Sequence, residues 1–496
     1  MNWLSRRAQI SGGETALLFE NQVLTFDQLE GRAKELARQL QAVGAGVGDR
    51  IAIPATSTVG SVVAMHAISM VRAVVVPLNT RLGAAAWSDQ IKLVGARALL
   101  LDPAAVEWAE SSPGSGPPVE CSESLLFHRL STNDERQNTG GRGHDDSAAE
   151  SWGPTPQLSD LHCIIFTSGT TGAGKPVSLS YGNHWWNAFG SLLNLGSQPG
   201  DLWLNCLPLY HVGGLSILIR GVLGGVPVWL QPKFDPAQTA AALDSGRVTM
   251  VSLVSTMLYR LFEHRGSRPF HPNLRCVLLG GGPIPEALVR KCLELGVPIA
   301  PTYGMTETAS QAATLRPDEV ANHPRSAGKP LLGIDLTIDP TVAGFDFGLG
   351  EIVMSGPSVS RGPDDSTAPF APLRTGDLGS LDAGGYLFVS DRRQDLIVTG
   401  GENVYPSEVD AVLLSHPSVL DAGVVGLPDE QWGQIVVAAI VPTGPDVEES
   451  RLRDFCHARL PGFKCPKRIH MLSELPRTSS GKLRRVELAE LLTPST

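Results

Sequence analysis

The sequence predicts an α/β protein with a large multi-layer N-terminal domain of mainly parallel sheets and a small α+β C-terminal domain. Three observations carry this. Short apolar runs alternate with helical patterns at Arg50–Pro54, Ala73–Pro77, Ala98–Leu101, Leu161–Phe166, Val226–Leu230 and Arg275–Leu279; such alternation marks strands joined by crossover helices. At 496 residues the chain exceeds what one core serves, so a second domain is expected. Near Asp391 the texture changes to the polar run DRRQD, and about a hundred residues with their own pattern follow.

Taken in order, Thr25–Leu40 opens with a capping box, Thr25 and Gln28, ahead of the stripe Leu29, Ala33, Leu36 and Leu40, and predicts a helix. Residues 131–157 are rich in Ser, Gly, Asn, Asp and Pro and read as a flexible surface insertion. Gly379–Ser390 reads as a hairpin turning at Asp382–Gly385. Beyond it come a helix near Pro406–Ser415, strands near Val419–Leu427 and Ile435–Val441, a helix near Val447–Leu460 and a strand near Arg468–Leu472. The domains are therefore drawn at 1–391 and 392–496.

Charge and composition narrow the class. The balance is 40 − 50 = −10, with 18% charged and 42% hydrophobic residues. That excludes a disordered chain and a basic nucleic-acid binder. The seven cysteines (121, 163, 206, 276, 292, 456 and 465) form no CxxC pair and have no histidine partner at metal-ligand spacing. They read as buried reduced thiols of a cytoplasmic protein. The N-terminus lacks a signal-peptide pattern, and the apolar stretch Ser61–Leu78 carries His66, Arg72 and Pro77, so no membrane insertion is expected.

Five motifs carry chemistry. Thr167-Ser-Gly-Thr-Thr-Gly-Ala-Gly-Lys175 directly follows an apolar strand. Small hydroxyl and glycine residues let N–H and O–H groups surround phosphate oxygens, and a lysine adds charge. The match to GxxxxGK fails at Pro176, where a magnesium-binding Ser or Thr would stand. Gly280-Gly-Gly-Pro-Ile-Pro285 lies between a strand and a helix, at the strand end where open α/β sheets bind ligands. In Tyr303-Gly-Met-Thr-Glu-Thr308, Tyr303 could stack on a base, Thr306 could bond a phosphate and Glu307 could hold Mg²⁺. Arg374-Thr-Gly-Asp377 offers a carboxylate suited to ribose hydroxyls, and Pro476-Arg-Thr-Ser-Ser-Gly-Lys482 suggests a lysine on a mobile loop. Each has a plainer reading: a flexible glycine loop, ordinary turns, a solvated basic tail.

In this order, from about Leu24 to Lys482, the motifs resemble the adenylate-forming superfamily of acyl- and aryl-CoA ligases, firefly luciferases and peptide-synthetase adenylation domains. Tyr181-Gly-Asn-His-Trp-Trp186, Leu207-Pro-Leu-Tyr-His-Val-Gly-Gly-Leu-Ser216, Ser326-Ala-Gly-Lys-Pro330 and Gly400-Gly-Glu-Asn-Val-Tyr-Pro406 resemble its o-succinylbenzoate–CoA ligase subfamily, of menaquinone biosynthesis. The resemblance implies ATP, Mg²⁺, coenzyme A and 2-succinylbenzoate as small-molecule partners, an acyl-adenylate intermediate, no nucleic acid, and a C-terminal domain that moves between half-reactions. It leaves a homo-oligomer open.

By motif position, the resemblance implies that Thr167, Ser168, Gly169, Thr170, Thr171, Gly172 and Lys175 hold the triphosphate. Gly280, Gly281, Gly282, Tyr303 and Gly304 flank adenine, Asp377 takes the ribose, and Arg392 contacts the nucleotide. Thr306 contacts the α-phosphate, Glu307 binds the metal and Lys482 is the catalytic lysine. Gln394 is the hinge, and Gly400 and Gly401 face coenzyme A. His211 gates the acyl pocket, with Gly281 beside it, or is a satisfied buried histidine. Arg220, nine residues after His211 in the apolar run LSILIRGV, is read as the partner of the ring carboxylate, over a side chain whose head reaches water.

This chain departs from the pattern at Gly174 and Pro176, at Gly213 where Ser is usual, and at Gln394. A medium-chain or benzoate-type acyl-CoA ligase is the nearest rival, and Arg220 discriminates against it, since neither acid has a second carboxylate. A P-loop NTPase is disfavoured by Pro176. A carrier-loading adenylation module is disfavoured by the 14 residues after Lys482. A catalytically dead binding protein conflicts with Lys175, Glu307, Asp377 and Lys482.

Overall fold

The computed structural model describes residues 2–82, 84–101, 126–129, 155–167, 174–341, 349–360, 371–392, 395–399, 402–429, 432–445, 447–478 and 481–493. Most of the expected insertion at 131–157, and Cys121, lie outside these residues.

Two mainly parallel sheets organise the larger part. The first runs Lys329–Pro330, Ser310–Thr314, Ile299–Met305, Cys276–Leu279, Met250–Leu253, Trp203–Asn205, Val228–Leu230, Thr15–Phe19 and Gln22–Thr25. The second runs Leu126–Arg129, Ala98–Leu101, Arg50–Pro54, Val74–Leu78, Leu161–Thr167 and Lys175–Ser180. Their central strands Val74–Leu78, Met250–Leu253 and Cys276–Leu279 are buried on both faces, which is why they read as unbroken apolar runs. Side chains alternate between two cores at the strand period of two. Ile51, Ile53, Val75 and Ile165 enter a core shared by both sheets and the helices Phe26–Ala42, Val59–Met70 and Val212–Gly224. Ala52, Val74, Val76 and Ile164 point the other way, onto Trp87 and Ile91.

The expected elements hold with small shifts of boundary. The helix from Thr25 spans Phe26–Ala42, and both hydrogen bonds of its capping box form. The apolar stretch after Ser61 divides into the helix Val59–Met70 and the strand Val74–Leu78. Among the described residues no helix is long and apolar enough to cross a membrane. The expected helix at Val447–Leu460 is shorter, Glu449–His457, because Pro461 and Gly462 begin a separate 3₁₀ turn.

A four-stranded antiparallel sheet, Asp335–Asp339, Gly350–Ser355, Leu373–Leu381 and Leu387–Arg392, follows. The hairpin turn is where the sequence places it: Asp382 Oδ1 accepts from the Gly384 and Tyr386 N–H groups at 2.9 and 2.8 Å. A five-stranded sheet built from Ile397–Thr399, Glu402–Val404, Val419–Asp429, Gly433–Pro442 and Arg468–Met471 has its own core. Val409, Leu413, Val424, Ala438, Leu452 and Cys456 fill it.

Cys163 has histidine neighbours in space that no ligand spacing in the sequence marks. Between the Leu161–Ser180 and Cys163–Leu179 pairs the register shifts, and such a bulge re-aims side chains. His162, Cys163 and His184 thereby meet, with potential ligand atoms within 4.8 Å of one another. Cys163 Sγ and His184 Nε2 share a hydrogen bond at 3.2 Å. The pair is separated by 21 residues, outside any short ligand spacing. Burial pushes the Cys163 thiol up and holds both imidazoles neutral, His162 lowered to about 3 and His184 well below its ordinary value.

Candidate active site

The glycine-rich segment after Leu161–Thr167 returns as a strand, Lys175–Ser180, antiparallel to the first, with Thr167 opposite Lys175. A P-loop would open a helix there, whereas Pro176 lies in a strand. Thr167 Oγ1 donates to the Lys175 carbonyl at 3.2 Å, closing the loop's neck. Gly174 sits at φ +75°, and a Cβ there would lie 2.4 Å from the Thr167 carbonyl oxygen, so only glycine fits. Lys175 is exposed. Ser168, Gly169, Thr170, Thr171 and Gly172 lie outside the described residues.

The second glycine cluster lies at the C-terminal end of Cys276–Leu279, and the unit continues through the helix Glu286–Glu294 to the parallel strand Ile299–Met305. Tyr303 and Gly304 stand on that strand, and Thr306–Thr308 forms a 3₁₀ turn into Ser310–Thr314. This turn packs beside Lys175–Ser180, so the site forms where the two large sheets meet. The Ser360 N–H donates to the Glu307 carbonyl at 2.7 Å, fixing the backbone beneath the carboxylate. Among the described residues that carboxylate takes part in no ion pair. A hard oxygen donor in that position fits a hard divalent cation such as Mg²⁺.

Asp377 reaches the same place from the four-stranded sheet. The Tyr303 hydroxyl donates to Asp377 Oδ2 at 2.7 Å, joining two motifs 74 residues apart. Glu351, 4% exposed, holds the turn that presents Asp377. It accepts from Arg374 at 2.8 Å and from the Gly376 N–H at 3.1 Å. Arg392 stands opposite Asp377 in the strand register. Gln394, Gly400 and Gly401 lie outside the described residues.

The turn bearing Lys482 arrives from the C-terminal part. Gly481, at φ +81°, abuts Thr256, whose Oγ1 would lie 2.8 Å from a Cβ built there. Next to Thr256, Ser255 Oγ donates to the Pro283 carbonyl at 2.9 Å, so this contact borders the Gly280–Pro283 loop.

His211 caps the helix Val212–Gly224, edge-on to Tyr210 at 4.6 Å between ring centroids. Burial, and secondarily Arg81, lowers its pKa to about 4. Arg220 does not reach water: it is 1% exposed. Its Nη2 donates to Asn187 Oδ1 at 2.8 Å, while Nε and Nη1 have no partner. The guanidinium lies 5.7 Å from the Trp203 ring centroid, and burial lowers its pKa to about 9. The alternative of a head reaching solvent is therefore excluded.

Sequence reasoning named the motif residues as candidates and did not name Asn187, Thr256, Glu351 or Ser360, which pack around the described ones. Each acts through backbone or through a partner far along the chain, which leaves no local signature.

The family model of the AMP-binding enzyme matches residues 4–362, and that of the AMP-binding enzyme C-terminal domain matches residues 408–482. The chain belongs to the AMP-binding enzyme family. It is 40% identical to the 2-succinylbenzoate–CoA ligase of Bacillus cereus over 99% of this chain and 98% of that one. Two solved structures, both of o-succinylbenzoate CoA synthetase (MenE) from Bacillus subtilis, are similar over nearly the whole chain. The complex with the acyl-adenylate intermediate OSB-AMP has a TM-score of 0.84 and 37% identity, over 98% of this chain and 97% of that one. The complex with ATP and magnesium ion has a TM-score of 0.84 and 36% identity, over 98% and 99%.

Proposed function

We propose that this chain ligates 2-succinylbenzoate to coenzyme A through an acyl-adenylate, with release of AMP and pyrophosphate, as a cytoplasmic step of menaquinone biosynthesis. The observation that carries the reading is the corner where Tyr303 bonds Asp377 beside the Thr306–Thr308 turn. The full-length likeness to 2-succinylbenzoate–CoA ligases supports it.

In this reading the glycines of the Gly280 loop, with Tyr303 and Gly304, take adenine, Asp377 takes the ribose, and the Thr167–Lys175 loop takes the triphosphate. Glu307 holds Mg²⁺, which supplies charge neutralisation at the phosphates. A carboxylate oxygen of the acid attacks the α-phosphorus and pyrophosphate leaves. Thr306 and Lys482 stabilise the charge that gathers there. The coenzyme A thiol, losing its proton, then attacks the acyl carbon, and the carbon–oxygen bond to AMP breaks. Residues 392–496 form the domain that moves between the steps, with Gln394 as hinge and Gly400 and Gly401 facing coenzyme A.

Arg220 selects the acid. A buried guanidinium with two unsatisfied donors is costly until an anion arrives, and the ring carboxylate is that anion. Arg220→Leu is expected to raise the KM for 2-succinylbenzoate about 10- to 100-fold, the worth of a charged hydrogen bond. The KM for ATP should stay within about twofold. Steady-state kinetics varying each substrate check this; a parallel rise in both constants removes the assignment.

The reading itself is tested by AMP formation with 2-succinylbenzoate, benzoate and octanoate, each with MgATP and coenzyme A. AMP confined to 2-succinylbenzoate supports it. Faster turnover of benzoate or octanoate would instead identify a different acyl-CoA ligase.

A further inference from the structure

Asn187 lies on the helix Tyr181–Leu195 and is 2% exposed. Its Nδ2 donates to two carbonyls, Thr308 at 2.9 Å and Gln311 at 2.7 Å. Its Oδ1 accepts from Arg220 Nη2 at 2.8 Å. A guanidinium only donates, so this contact fixes which end of the amide is oxygen and leaves both N–H groups for the carbonyls.

The two carbonyls bracket Ala309 and Ser310, at φ +55° and +123°. Residues with side chains avoid that region, and the surroundings must hold them there. Thr306 and Glu307 lie just before this strained pair. The Ser360 N–H holds the Glu307 carbonyl from another side, Thr308 Oγ1 ties the turn to Met305 and Ser310 from within, and Asn187 adds an anchor from a separate helix on the Thr308–Gln311 side.

We infer that Asn187 is a positioning residue whose two N–H donors set the Thr306–Glu307 turn for MgATP. The inference rests on the nucleotide reading of that turn. Asn187 touches no reacting atom and acts only through the main chain. In Arg220→Leu both donors remain, which is why that variant is expected to leave the KM for ATP within about twofold.

The test compares Asn187→Leu and Asn187→Asp in the full chain. Leucine removes every bond. Aspartate gives Arg220 a full ionic partner yet also lacks both donors, so stability and positioning come apart. Pyrophosphate release with 2-succinylbenzoate is expected to slow about 10- to 100-fold in both variants, the usual cost of a misplaced reacting group. Acyl transfer to coenzyme A from a synthetic acyl-adenylate should stay within about twofold. By calorimetry both variants should bind MgATP about five- to tenfold more weakly, with magnesium-free ATP within about twofold. Wild-type rates in Asn187→Asp, or equal slowing of both half-reactions, would overturn the inference. A wild-type protein that releases no pyrophosphate with any acid would instead overturn the ligase reading. The calorimetric split still decides the role of Asn187 in that case.

Discussion

Replacing Lys482 with methionine is expected to slow pyrophosphate release by about 10²–10³-fold, the usual cost of losing one preorganised charge-stabilising group. Acyl transfer from a preformed acyl-adenylate should stay near the wild-type rate. In the proposed reading the lysine is held for this task by bonds within its own segment. Arg477 makes a two-point pair with Asp421, at 2.8 and 2.6 Å, and its Nη1 donates to the Gly481 carbonyl at 2.8 Å. The Thr478 N–H donates to the Lys482 carbonyl at 2.8 Å, and the Lys482 N–H donates to Thr478 Oγ1 at 3.0 Å. These bonds tie Gly481 and Lys482 to Arg477 and Thr478 beside Thr256. Quenched-flow measurement of the two half-reactions checks this. Equal slowing of both would show that the lysine is structural.

A large loss of stability is expected between pH 6.5 and pH 4. His162 and His184 are 6% and 1% exposed, and burial lowers His162 to about 3 and His184 well below its ordinary value. His66, which lines a cavity of about 30 Å³ with His162, is lowered to about 4 by burial. A depressed folded-state pKa means that the unfolded chain takes up protons the folded chain refuses. The stabilisation is complete above about pH 6.5 and is lost as the pH falls toward the folded values. Each such histidine costs about 2 kcal/mol at pH 5 relative to pH 8. His162 and His184 alone thus remove about 4 kcal/mol, against a total stability of order 5–15 kcal/mol. Urea midpoints measured from pH 8 to pH 5 should show this decline. His184→Gln should flatten the curve by about 2 kcal/mol over that range; an unchanged slope would mean that His184 is protonated in the folded protein.

The fold was legible because the central strands of its large sheets are buried on both faces. Val74–Leu78 and Cys276–Leu279 have no exposed residue to interrupt the apolar pattern, so strand and sheet class follow from composition alone. Thr25 and Gln28 announced a helix start that forms with both cap bonds. The glycine segments stood out for a different reason: the proposed site needs small residues where backbone approaches a ligand at strand ends, and these are contiguous in sequence. What holds the site in shape was not. Asn187 meets Thr308 across 121 residues and Arg220 across 33, and Glu351 meets Gly376 across 25. None carries a spacing rule, because an asparagine or glutamate that bonds backbone has no partner type to look for. Arg220 was legible as an isolated cation in an apolar run, but its full burial against Asn187 follows only from how the helices Tyr181–Leu195 and Val212–Gly224 pack.

The central claim is that the acid is activated as an adenylate, and the fate of a carboxylate oxygen tests it most directly. With 2-succinylbenzoate labelled with ¹⁸O in its succinyl carboxylate, attack on the α-phosphorus followed by departure of AMP transfers one labelled oxygen to AMP. Mass spectrometry of the nucleotide product should find one ¹⁸O per AMP, with unlabelled pyrophosphate. Label in phosphate or pyrophosphate, or unlabelled AMP formed alongside the thioester, would contradict the account.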